Sequence, residues 1–153
     1  MAFPFPALAL TENGSAIQLA PVKPGKPFNI LAAVYMLDNA LNLVPLLPQS
    51  VQSISYTVYQ VPDVLPPEIT NPRTISGSGS FVAANVIYPA MLTGTAYSVA
   101  SPPNATPGCN ANYLIPGSFI PNQNTTYEIQ ITITLTSGNQ FDDWFTVTTY
   151  NLP

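Results

Sequence analysis

The chain has 153 residues, enough for one domain that buries roughly two thirds of its unfolded surface. Only 7% of them are charged, against about 25% in an average soluble protein, while 46% are hydrophobic. That balance excludes a disordered chain, which needs low hydrophobicity and high net charge. Three basic residues, Lys23, Lys26 and Arg73, are too few for nucleic-acid or basic membrane-surface contacts. The longest apolar run, ILAAVYML at 30–37, has the length of a strand and falls far short of the roughly 18 residues of a membrane span.

In chain order, residues 1–15 read as an extended arm and turn, and 16–153 as a single β-sandwich domain. In the arm, Phe3, Phe5, Leu8 and Leu10 are apolar, while Pro4 and Pro6 stiffen the backbone towards polyproline geometry. The segment has no basic n-region and is interrupted by proline, so it does not read as a secretory signal. TENGS at 11–15 is a turn and AIQLA at 16–20 a short strand. FNILAAVYMLD at 28–38 is apolar on both alternating faces, which fits a strand covered on both sides or a buried helical segment; its β-branched and aromatic content favours the strand.

NALNLVPLLPQ at 39–49 reads as a connection. VQSISYTVYQV at 51–61 alternates, with Ile54, Tyr56 and Val58 on one face. Four prolines make 61–72 a long loop rather than a central strand. GSGS at 77–80 reads as a turn or hinge, followed by an apolar strand over about 81–88, and 100–112 as a second polar loop. The strongest signal comes last. Tyr127, Ile129, Ile131, Ile133 and Leu135 alternate with Thr and other polar residues, SGNQ supplies a turn in which Gly138 takes positive φ, and a return strand runs to Thr148. A slip of one residue would turn five apolar side chains to solvent, so the register is set.

About seven strands and no helix predict an all-β fold, an antiparallel immunoglobulin-like β-sandwich, with a jelly roll or Greek-key barrel as alternatives.

Chemistry-bearing residues are sparse. The chain has no histidine, and its serines lie in no nucleophile motif. Asp142 and Asp143 are adjacent, so on a strand they face opposite ways and do not form an acid/base pair; charge there would instead resist edge-to-edge pairing of a terminal strand. They lack the spacing of a calcium loop, and neither a metal nor a cofactor is expected. Lys23 and Lys26 flank Gly25 without the ending of a phosphate loop. Cys109 has no partner cysteine and no activating neighbour in sequence, and reads as a structural thiol. The sequons at Asn13, Asn104 and Asn124 are no more than a chain rich in Asn and Thr produces by chance. Trp144 and the eight tyrosines could form a sugar-stacking platform or pack in the core and interfaces.

The order PVKPGKPFNILAAVYMLDNALNLVPLLPQSVQSISYTVYQV, then FVAANVIY, then YLIPGSFIPNQNTTYEIQITITLTSGNQFDDWFTVTT resembles small immunoglobulin-like virion proteins of tailed bacteriophages, which include capsid decoration (cement) proteins. The resemblance covers about residues 20–149. It implies a structural protein with no catalysis on the capsid exterior, bound to capsid subunits through arm or loops and to copies of itself as a homotrimer. Phe3, Phe5, Leu8 and Leu10 are then the partner-binding residues, and no nucleic acid or membrane is involved. A carbohydrate- or receptor-binding module of a tail fibre or adhesin is the alternative. It would place Trp144, Tyr97 or Tyr113 on one exposed face beside Asn and Asp. A glycosidase, needing two carboxylates close in space, is a distant third.

Overall fold

The computed structural model describes residues 4–6, 17–37, 40–61, 73–92 and 109–151. Its elements are almost all strands: β1 (Pro4–Pro6), β2 (Ile17–Gln18), β3 (Phe28–Ala32), β4 (Val34–Leu37), β5 (Leu43–Pro45), β6 (Val51–Val61), β7 (Thr74–Phe81), β8 (Ile87–Leu92), β9 (Cys109–Ile115), β10 (Thr126–Leu135) and β11 (Gln140–Thr148). Among the described residues, one helical turn, α1 (Ala83–Val86), and two 3-10 turns accompany them.

A five-stranded sheet in the order β2-β11-β10-β6-β7 packs against a three-stranded sheet β3-β9-β8, and a small sheet β1-β4-β5 continues from it. Pairing is antiparallel except for β2, which runs parallel to β11. One continuous core joins the two larger sheets: Ile54, Tyr56, Ile129, Ile131 and Phe145 from one, Ile30, Ala111, Tyr113 and Ile115 from the other. The expected all-β sandwich is therefore the architecture.

The closing hairpin follows its sequence pattern. Tyr127, Ile129, Ile131, Ile133 and Leu135 are all buried, their register running from Thr126 opposite Thr148 to Thr134 opposite Gln140. Gly138 takes φ 93°, and its N–H donates to the Leu135 carbonyl at 2.9 Å, closing the turn. Only residues with φ > 0 close such a turn without steric cost.

Four sequence readings are corrected. First, GSGS is not a turn: it lies within β7, paired with β6. A methyl on Gly77 would run into the Phe119 ring, and one on Gly79 would sit 2.7 Å from the Tyr56 hydroxyl. These glycines make room for aromatic rings on the inner face, the use of strand glycine where another group approaches the backbone. Second, the strand expected over 81–88 is split, with Phe81 ending β7, residues 83–86 turning once as a helix and Ile87 opening β8.

Third, the connection at 39–49 contains β5, which pairs Leu43 with Leu37 and Pro45 with Tyr35. Fourth, 109–112 is not loop but the start of β9. The rest of that expected loop, and 62–72, lie outside the described residues.

The run at 28–37 is strand covered on both faces, as its double-sided apolar pattern implies, but it breaks at Ala33 and changes sheet. Ile30, Ala32, Ala33, Val34 and Tyr35 are all buried. Asn110, fully buried on β9, holds the break. It accepts from the Val34 N–H at 2.7 Å and donates to the carbonyls of Val34 at 2.9 Å and Leu46 at 3.2 Å. The side-chain amide thus replaces the ladder that the strand loses as it leaves β9 for β5.

Candidate functional site

Two surfaces gather residues that the sequence marks as functional. The first is the edge of β4. Asn110 fixes its first residue, and β1 adds antiparallel to it, with Pro4, Phe5 and Pro6 opposite Met36, Tyr35 and Val34. Proline has no N–H and belongs at sheet edges, so Phe5 brings the only backbone donor of this three-residue strand. Of the four arm residues, the structure places Phe5 in β1; Phe3, Leu8 and Leu10 lie outside the described residues.

The second surface is the outer face of the five-stranded sheet. Alternation on β10, β11 and β6 sends Glu128, Gln130, Thr132, Asp142, Trp144, Thr57 and Tyr59 outward. Register sets Trp144 opposite Gln130 and Tyr59 opposite Glu128, so the two aromatic residues flank β10 diagonally. Their rings stack at 6.0 Å between centroids, 25° from parallel. The Arg73 guanidinium lies 5.0 Å above the indole centroid and pairs with Glu128 at 2.9 Å.

Beside the rings runs a polar chain. Tyr59 donates its hydroxyl to Gln130 Oε1 at 3.2 Å, and Gln130 Nε2 donates to Asp142 Oδ2 at 3.0 Å. Thr132 donates to Asp142 Oδ1 at 2.7 Å.

Asp142 and Asp143 face opposite ways, as expected; β11 pairs with β10 along its length and with β2 only at Phe145–Thr146, so no described strand covers its other side at Asp142–Asp143. Asp142 is tied to β10, while Asp143 points inward at 4% exposure. Burial, with a smaller contribution from the Asp142 charge, pushes the Asp143 carboxyl up to about 7. In the facing sheet Tyr113 is fully buried and its hydroxyl finds no partner among the described residues. Burial first, then the Asp143 charge, raises its phenol well above the ordinary value.

Tyr113 is thus core, its ring tilted against Phe81 with centroids 5.4 Å apart, and not part of an exposed platform; Tyr97 lies outside the described residues. Cys109 is fully buried and burial raises its thiol, which fits the structural reading.

Among the described residues no three His, Cys, Asp or Glu side chains gather as a metal site, and no helix is long and apolar enough to cross a membrane. Asn110 and the Gly77–Phe119 contact escape the sequence reading because their partners lie far away in the chain. Comparison with protein-family models, curated proteins and solved structures gives no match.

Proposed function

We propose that this chain is a structural virion protein of the capsid decoration type, a β-sandwich that clamps neighbouring capsid subunits through its N-terminal arm. The observation that carries the reading is the addition of β1 to the edge of β4. Strand addition is a recurrent mode of recognition in which backbone pairing supplies affinity and side-chain pockets supply specificity.

β1 is only three residues long and brings one backbone donor, so few ladder bonds hold it, each contributing a net of about 0.5–1.5 kcal/mol. An arm held this lightly exchanges readily for a strand of a lattice neighbour, and its apolar residues Phe3, Phe5, Leu8 and Leu10 then bury area across the subunit boundary. Binding that exists only in the assembled shell stabilises the shell by mass action. The weakly charged surface, with 7% charged residues over the chain, suits close packing among like copies, because few ions have to be desolvated.

The test is co-sedimentation with purified capsid shells, alongside light-scattering mass analysis. The full chain binds shells, whereas a chain carrying Phe3→Ser, Phe5→Ser, Leu8→Ser and Leu10→Ser stays folded and in the supernatant. Equal binding by both chains rejects the arm as the clamp; no binding by either rejects the capsid reading.

A further inference from the structure

We infer that the outer face of the five-stranded sheet, around Trp144, Tyr59 and Asp142, is a binding site for an uncharged oligosaccharide. This face is distinct from the β4 edge, and the inference stands whether or not the arm binds a capsid. Three features carry it.

The first is the aromatic pair. Trp144 and Tyr59 are half-buried, nearly parallel and 6.0 Å apart, on strands that flank β10. Pyranose rings present a face of C–H groups that packs on such surfaces, and Trp and Tyr combine an apolar body with a polar tip. Arg73 covers part of the indole and is itself pinned by Glu128, so the indole orientation is fixed before a ligand arrives.

The second is a preorganised acceptor. Asp142 lies two residues before Trp144 on the same face and is exposed, while donors from Gln130 and Thr132 hold one oxygen each. A carboxylate has about four acceptor positions, so roughly two remain for ligand hydroxyls. Gln130 is oriented at both ends, by Tyr59 and by Asp142, which settles which of its amide atoms points where. Groups locked in place before binding lose little entropy on binding.

The third is charge. On this face Arg73 and Glu128 neutralise each other, which leaves Asp142 as the uncompensated charge among the described residues there. A carboxylate at the centre accepts from hydroxyls and repels acidic sugars. The surrounding Thr57, Thr132, Thr134, Thr146 and Thr148 are neutral hydroxyls, suited to an elongated neutral chain crossing the strands.

Trp144 is the sole tryptophan, so selectively excited tryptophan fluorescence reports on this site. The full chain is titrated with maltohexaose, cellohexaose and the hexamer of N-acetylglucosamine, with sialyllactose as the anionic arm. The expected result is a saturable fluorescence change with at least one neutral hexasaccharide and none with sialyllactose. Asp142→Asn, at an exposed position, weakens that binding by about tenfold or more while the variant still unfolds cooperatively on heating, as loss of a charge-assisted bond requires. Calorimetric titration of Trp144→Ala, which has no tryptophan, shows no binding. Absence of a saturable change with every neutral probe overturns the inference. So does a change that Asp142→Asn leaves intact, or equal binding of sialyllactose.

Discussion

Asp143 offers a sharp test of how the core is built. Its carboxyl is 4% exposed among apolar side chains and titrates at about 7 in the folded protein, against 3.8 for the ordinary group. The unfolded chain releases this proton near pH 4, whereas the folded chain keeps it until about pH 7. Between those values the unfolded state binds fewer protons, so stability falls as pH rises. The contribution is fully present below about pH 4, declines through the interval and is flat above it. A difference of about three pH units corresponds to roughly 4 kcal/mol, a large share of the 5–15 kcal/mol typical of a domain.

Replacing Asp143 by Asn keeps the shape and removes the titration. Urea unfolding at constant ionic strength from pH 4.5 to 8 then gives a stability that declines by roughly 3–4 kcal/mol for the native chain and stays nearly level for Asp143→Asn. At pH 8 the variant is the more stable of the two. Asp142→Asn, by removing the neighbouring negative charge, lowers the Asp143 carboxyl and shortens the decline. Parallel pH profiles for the native chain and Asp143→Asn would refute the placement of this carboxyl in the core.

Two further substitutions probe the scaffold. Asn110→Ala deletes three buried hydrogen bonds and strands the Val34 N–H, a loss of about 3–5 kcal/mol read by urea unfolding; a loss under about 1 kcal/mol would mean that β4 is held by other contacts. Gly77→Ala places a methyl against the Phe119 ring and costs about 1–3 kcal/mol by the same assay, whereas Gly25→Ala meets no atom within 4 Å and is strained only through its φ of 74°. A cost at Gly77 below about 0.5 kcal/mol would show that this β7 glycine does not serve ring packing.

Local periodicity made part of this molecule legible. β6 and the β10–β11 hairpin are half-buried strands, so alternation alone marks Ile54, Tyr56, Val58 and the five apolar residues of β10 as core. β7 and β9 are opaque for the opposite reason. Gly77 and Gly79 owe their place to rings contributed by Phe119 and Tyr56, and Asn110 is buried because it serves backbone groups 76 and 64 residues away. No short window of CNAN or GSGS contains those partners.

The same holds for the site residues. Trp144 is one of several candidate aromatics in the sequence, yet only the register across β10 selects Tyr59 as its companion, and only the packing of the two sheets puts Tyr113 in the core. Strand alternation turns Asp143 away from Asp142, but its burial depends on the opposing sheet.

Hydrogen exchange read by mass spectrometry on the full chain, free and bound to purified capsid shells, tests the arm-clamp reading most directly. The account predicts that protection rises on binding across residues 1–10 and along β4 at Val34–Leu37, while β10 and β11 stay unchanged. Binding accompanied by new protection only elsewhere, with residues 1–10 and β4 exchanging as in the free chain, would contradict it.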